Sequence, residues 1–179
     1  IWRDISIVSY TAARIQDVRV EQIHEEGAVR LNTLVNLNHY TDEAVEVAVT
    51  VTAPDGTVFT GKEIDVINPQ LWWPKGYGEP HLYDVEVAFV TDGKISDVKK
   101  VKSGVREMTY TMEGGILDIF INGRRLIANG GNWGFPEINL NYRAREYDIA
   151  VAYHADMNFT MIRNWVGMTG DEEFYEACD

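Results

Sequence analysis

Hydrophobic and polar positions alternate through most of the first hundred residues. Residues 29–37 and 45–51 place an apolar side chain or a threonine at every second position, which is the period of a strand with one buried face. Pro54-Asp55-Gly56 and Thr91-Asp92-Gly93-Lys94 are turn sequences, because glycine accepts a positive φ and aspartate bonds nearby backbone. About seven short strands at these spacings predict an immunoglobulin-like β-sandwich over residues 5–104, and a β-barrel with a similar number of strands is the alternative.

The hydrophobic period changes to that of a helix after residue 143. A helix is predicted over residues 143–157, between a buried strand at residues 126–128 and another at residues 159–165. Its apolar face consists of Tyr147, Ala150, Val151, His154 and Met157. A second helix is predicted after residues 169–172, which have the form of a capping box. Strand, helix and strand with short links form a βαβ unit with parallel strands, here the truncated start of a (β/α)₈ barrel.

A hairpin is predicted between the sandwich and this barrel-like part. Asn122-Gly123 separates two apolar runs, and this dipeptide favours a type I′ turn with positive φ at both residues. We place the boundary between the two domains at residues 103–107, which gives a sandwich domain at 1–104 and an incomplete barrel domain at 105–179. Because a complete barrel needs about 250 residues and the chain opens at Ile1 inside a predicted strand (residues 1–8), we expect a fragment of a longer protein.

Composition excludes several classes of function. The net charge is −12 and there is no basic run beyond Lys99-Lys100, so neither a nucleic-acid partner nor an anionic one is expected. No apolar run approaches the roughly 20 residues that span a bilayer. The single cysteine, Cys178, excludes an internal disulfide, and we interpret it as a small packing residue. Zinc-ligand spacings and phosphate-binding glycine loops are absent from the sequence, so no metal or cofactor is expected.

Five residues near the ends of the two predicted parallel strands are candidates for ligand binding. Arg163 lies near the carboxyl end of the second strand, where barrel active sites form, and it could orient a catalytic carboxylate or form a structural ion pair. Asn164 and Trp165 follow it, and the tryptophan could stack on a sugar or close the barrel core. Asn132 and Trp133 stand at the matching end of the first strand, and they suit a polyhydroxylated ligand or loop packing.

Two further groups of residues have a structural interpretation beside a functional one. Trp72-Trp73-Pro74 and Tyr77 form an aromatic cluster that could be a carbohydrate platform, although such clusters more often pack against a domain or a junction. Asp171, Glu172 and Glu173 resemble a catalytic set of carboxylates, but we expect them to favour the start of a helix through its dipole.

Several linked motifs, in the same order, resemble glycoside hydrolase family 2. They are residues 71–83 (LWWPKGYGEPHLY), 104–107 (GVRE), 122–124 (NGR), 130–133 (GGNW) and 156–165 (DMNFTMIRNW). By this resemblance residues 122–124 belong to a hairpin, residues 130–133 to the first barrel strand and residues 156–165 to the second. Residues 1–4 resemble the last strand of the sugar-binding domain that precedes the sandwich in this family. Tryptophan-rich motifs are most similar to the β-mannosidase and exo-β-glucosaminidase branch, and Trp165 weighs against the β-galactosidase branch, which usually has histidine there.

The resemblance implies a retaining exo-β-glycosidase that hydrolyses O-glycosidic bonds of oligosaccharides and polysaccharides with two glutamates. The family's Asn-Glu acid/base motif is not in this sequence, so the chain alone is expected to be inactive and no catalytic glutamate is assigned. Arg163 matches the arginine that supports the nucleophile. A non-catalytic β-sandwich module that binds carbohydrate or links domains is the alternative function.

The implied partners are a carbohydrate substrate and the remaining domains of the same chain. Self-association through the truncated barrel is a further expectation, since its apolar strands would have unpaired edges. The compartment stays open, with a periplasmic or secreted parent protein as one option.

Overall fold

The computed structural model describes residues 5–10, 12–42, 44–134, 142–165 and 170–179. In chain order its elements are β1 (Ala13–Glu25), β2 (Ala28–His39), β3 (Glu46–Thr52), β4 (Val58–Thr60), β5 (Glu63–Ile67), β6 (Leu82–Thr91), β7 (Lys94–Gly104), β8 (Met108–Thr111), a 3₁₀ turn (Glu113–Gly115), β9 (Asp118–Ile121), β10 (Arg124–Leu126), β11 (Gly130–Trp133), α1 (Ala144–Asp156), β12 (Met161–Asn164) and α2 (Glu172–Cys178). The described residues divide into two compact units, one of residues 5–71 and 81–105 and the other of residues 72–80 and 106–179.

The first unit is a sandwich of two antiparallel sheets. One sheet has the strand order β1-β2-β5 and the other β4-β3-β6-β7, which together give the seven strands expected of an immunoglobulin-like fold. The predicted alternation is confirmed in β2, where Val29, Leu31 and Thr33 are buried and the residues between them are more exposed. Residues 5–8 form no strand, contrary to the prediction for residues 1–8. Ile5, Ile7 and Val8 are exposed, and a segment that does not pair with another strand is not stable as a strand. Residues 1–4 lie outside the described ranges.

Side chains from both sheets of the sandwich form one continuous apolar core. Its buried members are Ala12, Ala13, Ile15, Val29, Leu31, Val49, Val51, Ala53, Ile64, Val66, Tyr83, Val85, Val87, Phe89 and Val105. Phe89 has no exposed surface. Burial of this many branched and aromatic side chains is the main source of stability for a domain of this size.

Both predicted turns of the sandwich are confirmed. Asp92 and Gly93 have φ values of 50° and 71° and join β6 to β7 as the tip of a hairpin. At the other turn, an Asp55 carboxylate oxygen accepts a hydrogen bond of 2.9 Å from the Thr57 N–H. Gly56 follows with φ at 86°, a conformation that a side chain would strain.

The second unit contains a three-stranded antiparallel sheet, ordered β10-β9-β8. Asn122 and Gly123 have φ values of 49° and 75°, which confirms the predicted hairpin between β9 and β10. The Asn122 side chain accepts a bond of 2.9 Å from the Glu107 N–H and donates one of 3.0 Å to the Trp72 carbonyl. Residues 72–80, which lie between β5 and β6 in the sequence, are therefore bound to this sheet.

A second sheet of the same unit consists of the parallel pair β11 and β12, as the βαβ pattern predicted. The hydrophobic pattern predicted the first strand at residues 126–128, and this position was wrong, whereas the family resemblance pointed to residues 130–133, where the strand lies. Leu126 belongs to the antiparallel strand β10, and the parallel strand starts at Gly130. Two glycines and an asparagine have weak intrinsic strand preference, so the run of apolar residues just before them was the stronger pattern. A side chain at Gly130 would collide with the Met161 carbonyl, which only a glycine avoids.

The helices α1 and α2 cover one face of the parallel pair. Three buried aromatic residues fill this core, and Trp133 stacks on Phe174 with 5.2 Å between ring centroids. The buried Tyr147 donates a hydrogen bond of 2.7 Å to the Asp171 carboxylate at the start of α2. Of the predicted helical face, Tyr147 is buried and Ala150, Val151 and His154 are partly buried, whereas Met157 is exposed because α1 ends one residue before it.

The predicted helix α2 is present, but its cap differs from the prediction. Asp171 is the N-cap and makes no side-chain bond to the helix backbone, since its carboxylate bonds Tyr147 instead. Thr169 of the predicted capping box lies outside the described residues. Glu172 and Glu173 occupy the first turn, where carboxylates favour the positive end of the helix dipole. In the described part of the chain no helix is long and apolar enough to cross a membrane.

Candidate functional site

Asn132 and Arg163 are brought together at the carboxyl ends of the two parallel strands. They are directly opposite each other in the register of β11 and β12. Arg163 Nη1 donates a hydrogen bond of 3.0 Å to Asn132 Oδ1. Both side chains are exposed in this structure. A strand alternates its side chains between two faces, so this pair lies on the face opposite to the one that the helices cover.

Trp165 lies on the same side as this pair. The Arg163 guanidinium carbon is 5.0 Å from the centroid of a Trp165 ring, a distance typical of a cation–π contact. The indole keeps 47% of its surface exposed. A polar pair beside a partly exposed aromatic ring can bind hydroxyl groups and the apolar face of a sugar ring at once.

Trp133 and Asn164 lie in different surroundings from these three residues. Trp133 is only 6% exposed and contacts the aromatic rings of the helix-covered core, which agrees with the packing interpretation. Asn164 is opposite Trp133 in the strand register, and its amide donates a hydrogen bond of 3.4 Å to the Tyr175 hydroxyl of α2. Of the five residues predicted from the sequence, the structure thus brings together Asn132, Arg163 and Trp165.

The tryptophan-rich segment 72–80 makes contacts typical of packing. The Trp72 ring lies 4.5 Å from the Arg106 guanidinium carbon, and its carbonyl accepts the bond from Asn122. A Cβ atom at Gly78 would come within 2.7 Å of the Trp73 ring, so this glycine permits the close approach of the indole. Trp72 and Trp73 are both half-buried. These contacts favour the structural interpretation of the cluster over a carbohydrate platform.

The sequence did not reveal the role of Thr160 and Tyr77, whose hydroxyl groups bond the residues that precede β11. Thr160 precedes β12 and its hydroxyl donates a hydrogen bond of 2.7 Å to the Ile127 carbonyl. The Tyr77 hydroxyl accepts a bond of 2.8 Å from the N–H of the same Ile127. A threonine and a tyrosine carry no spacing pattern that would reveal such contacts. The only signal was Gly130-Gly131, whose missing side chains indicate a close backbone approach.

A cavity of about 330 Å³ lies elsewhere in the second unit, beside α1, α2 and β12. Its walls are mostly apolar and include Phe159, Ile162 and Phe174. Asn164 lines it, whereas Asn132 and Arg163 do not. The candidate site is therefore separate from this cavity.

Other chemistry has little support in the described part of the chain. No group of three His, Cys, Asp or Glu side chains is placed to hold a metal ion there. Cys178 is exposed, contrary to its interpretation as a packing residue, yet partial desolvation of its sulfur and, to a smaller extent, Asp179 raise the pKa of the thiol to about 11. Such a thiol stays protonated at neutral pH, whereas a nucleophilic cysteine needs its thiolate form.

The sequence of this chain is similar to those of known glycosidases. The family model described as "Glycosyl hydrolases family 2" matches residues 13–106. The chain is 39% identical to a mannosylglycoprotein endo-beta-mannosidase of Lilium longiflorum over 116 residues, which is 62% of this chain and 12% of that protein. It is 31% identical to beta-mannosidase B of Aspergillus terreus, covering all of this chain and 23% of that protein. It is 29% identical to an exo-beta-D-glucosaminidase of Hypocrea jecorina, covering all of this chain and 22% of that protein.

The fold of this chain is also found in a solved structure. The beta-D-mannosidase from Dictyoglomus thermophilum superposes with a TM-score of 0.83 at 20% identity, over 96% of this chain and 24% of that one. At this identity the likeness concerns the fold alone. The chain spans less than a quarter of the length of the relatives that it matches.

Proposed function

The chain belongs to glycosyl hydrolase family 2, and we propose that it is part of a longer retaining exo-β-glycosidase. The proposed enzyme hydrolyses O-glycosidic bonds of oligosaccharides or polysaccharides and is of the β-mannosidase or exo-β-glucosaminidase type. Relatives with both names match the whole of this chain, which supports the choice. In this proposal residues 1–104 form the sandwich domain, except that segment 72–80 belongs to the second unit, and residues 105–179 contribute the first part of a (β/α)₈ barrel.

The observation that carries the proposal is the contact between Asn132 and Arg163. Barrel enzymes build their sites from residues at the carboxyl ends of several parallel strands. The two residues occupy this position on adjacent strands and share a hydrogen bond of 3.0 Å on the face that α1 and α2 do not cover. We expect them to face the substrate together with Trp165.

Arg163 suits the role of supporting a nucleophilic carboxylate. A guanidinium has five N–H donors in a fixed plane, so the bond to Asn132 is compatible with a paired bond to a carboxylate. Such bonds favour the ionised form of a carboxyl group and fix its orientation. In a retaining glycosidase, one carboxylate attacks the sugar while a second, about 5 to 5.5 Å away, donates a proton to the leaving oxygen. Both carboxylates would come from parts of the barrel beyond this chain.

Asn132 and Trp165 suit contacts with the sugar. The bond from Arg163 fixes the Asn132 amide, whose NH₂ group can donate to a hydroxyl of the substrate. Trp165 presents an exposed ring beside them. Trp133 and Asn164 were also predicted to bind substrate, and in this proposal they support the site through the packing of β11 and β12 against the helices.

The experiment is a hydrolysis assay of the full-length protein with nitrophenyl β-mannoside, β-glucosaminide and β-galactoside. We expect release from the β-mannoside or the β-glucosaminide, with retention of the anomeric configuration by NMR. The 179-residue chain should give only background release, because its sequence contains no Asn-Glu acid/base motif. Inversion of configuration, or turnover that copurifies with the 179-residue chain, would contradict the proposal.

Two alternatives have observations in their favour. The relative with the highest identity quoted above carries the name of an endo-β-mannosidase, and cleavage of a mannosylglycoprotein without release from nitrophenyl β-mannoside would favour an endo-acting enzyme. The family model matches only residues 13–106, the sandwich, so the chain on its own could be a carbohydrate-binding or domain-linking module. Binding of mannan or chitosan by the 179-residue chain, abolished in a Trp73→Ala variant, would favour the carbohydrate-binding module.

A further inference from the structure

Contact between Asn132 and Arg163 depends on the register of β11 on β12. The pairing extends over only four residues of each strand. A slip of one residue would turn the side chains of one strand to the opposite face. β11 begins with Gly130 and Gly131, which have no side chains to pack, and register is weakly specified in glycine-rich strands. Trp133 at the end of β11 is buried and opposes such a slip, but the glycine half of the strand has no buried side chain and depends on contacts from outside the strand pair.

Thr160, directly before β12, supplies such contacts. Its hydroxyl donates to the Ile127 carbonyl at 2.7 Å and accepts from the Asn129 N–H at 3.0 Å. Its own N–H donates to the Asn129 carbonyl at 2.8 Å. The side-chain NH₂ group of Asn129 in turn donates to the Asn158 carbonyl at 3.1 Å. These four bonds join the residues that precede β11 to the residues that precede β12, and so align the starts of both strands.

Tyr77 also bonds the residues that connect β10 to β11. Its hydroxyl accepts a hydrogen bond of 2.8 Å from the Ile127 N–H. The Arg124 guanidinium lies 4.6 Å from the Tyr77 ring centroid and donates to the Tyr77 carbonyl at 3.3 Å, which holds the tyrosine in place. The Ile127 side chain is 71% exposed. Backbone hydrogen bonds with the two hydroxyl groups and with the Asn129 N–H, rather than packing, therefore set the position of Ile127.

We propose that Tyr77 and Thr160 are positioning residues that hold β11 in register with β12 and thereby hold Asn132 against Arg163. Neither residue lies at the carboxyl ends of the strands, where the substrate is expected, so both act through the strand pair. The effect on catalysis rests on the proposed function, whereas the effect on the strand register does not.

The register is tested on the 179-residue chain by amide hydrogen exchange. Thr160→Val removes the threonine hydroxyl at nearly constant volume, and Tyr77→Phe removes the tyrosine hydroxyl. Loss of the single Tyr77 bond should raise the exchange rates in β11 and β12 about fivefold, and loss of the two Thr160 hydroxyl bonds should raise them at least as much. Nuclear Overhauser contacts between the Asn132 and Arg163 side chains should weaken. Thr160→Ser should restore both, and Thr109→Val, an exposed threonine of β8, serves as control.

Exchange rates in β3 and β6 of the sandwich should be the same in all variants, which separates a local effect from general destabilisation. If Thr160→Val and Tyr77→Phe both leave the exchange in β11 and β12 and the Overhauser contacts at wild-type values, the proposal is wrong.

The catalytic part is tested in the full-length enzyme, well below its unfolding temperature. Thr160→Val should lower kcat about fivefold with a smaller change in KM, and Thr160→Ser should recover it. Faster exchange with an unchanged kcat would contradict the positioning role in catalysis. A wild-type enzyme without glycosidase activity would instead contradict the proposed function, and the exchange experiment would still decide the register.

Discussion

Strands β2 and β11 differ in what determines their place in the molecule. β2 has twelve residues, pairs with β1 on one side and β5 on the other, and alternates buried and more exposed side chains. β11 has four residues, Gly-Gly-Asn-Trp, and pairs with β12. The hydrophobic pattern of β2 specifies its own position, whereas β11 has a single buried side chain, Trp133, and its start is aligned by hydrogen bonds from Tyr77 and Thr160 to the connecting residues.

This difference matches the tasks that we assign to the two units. A strand with an alternating pattern and two neighbours is a stable scaffold, because a shift would expose its whole buried face. A short strand held at its start leaves its carboxyl end for polar residues such as Asn132. Natural proteins commonly give up local consistency at functional sites and retain it in the scaffold.

The largest expected effect concerns the core of the sandwich. Phe89→Ala should lower the free energy of unfolding of the first unit by about 3 to 5 kcal/mol, because it leaves a cavity where a fully buried ring was packed. Urea unfolding followed by circular dichroism measures the loss. Ile95→Ala on β7 is the control, since its side chain is 68% exposed and should cost little. Equal losses for both variants would show that the core does not determine the stability of the sandwich.

A smaller and local effect is expected at the start of β11. Gly130→Ala should cost the second unit about 1 to 3 kcal/mol, since the new methyl group meets the Met161 carbonyl. Gly131→Ala is a matched control, because its methyl group would lie 3.9 Å from the Phe159 ring, an ordinary contact. Proteolysis at increasing urea concentration, with cleavage sites assigned by mass spectrometry, measures each unit separately. The comparison between the units is wrong if both alanines are tolerated equally.

The helical layer of the second unit should respond to the loss of one hydrogen bond. Tyr147→Phe removes the bond of 2.7 Å to Asp171 and should destabilise this unit by about 1 kcal/mol. Tyr153→Phe, on the exposed side of the same helix, should have no measurable effect. Unfolding followed by tryptophan fluorescence, to which the buried Trp133 contributes together with the other four tryptophans, suits this measurement. Wild-type stability of Tyr147→Phe would show that the bond does not join α1 to α2.

The smallest effect concerns an exposed ion pair of the sandwich. Arg30 and Asp65 are opposite each other on β2 and β5, and the hydrogen bond from the guanidinium lowers the pKa of the Asp65 carboxyl. Because the carboxyl group is more acidic in the folded state, its contribution to stability exists above the unfolded pKa and disappears as the pH falls through the folded value. An NMR titration should place the Asp65 midpoint below its ordinary value, and Arg30→Met should raise it. An unchanged midpoint in Arg30→Met would contradict this assignment of cause.

The sequence predicted the sandwich well for a physical reason. Period-two alternation and turn residues are local signals, and each was decisive at residues of the sandwich such as Val29, Asp55 and Asp92. The same reasoning misplaced the first parallel strand, because its position depends on distant contacts made by Thr160 and on the close approach at Gly130. It found the parallel pairing and the helices, since their hydrophobic periods are strong.

The candidate site was predictable in part. Arg163 and Asn132 were singled out because both stand at strand ends, and the register brings them into contact. Trp133 was grouped with them, but it directly follows Asn132 on β11, so its side chain lies on the opposite face and packs against the helices. Alternation of side chains would have separated the two residues once the strand was correctly placed. Tyr77 could not have been linked to the site from the sequence, since fifty residues separate it from Ile127.

The most direct test of the account compares two arginines in the full-length enzyme. Arg163→Ala should lower kcat by at least about tenfold, because an arginine that orients the nucleophile contributes a charge-assisted hydrogen bond of roughly 1.5 to 3 kcal/mol. Arg30→Ala, on the sandwich, should leave kcat within about twofold of wild type, as exposed ion pairs contribute little. The account is contradicted if Arg163→Ala keeps the wild-type kcat and changes only KM, or if both substitutions reduce kcat to the same extent.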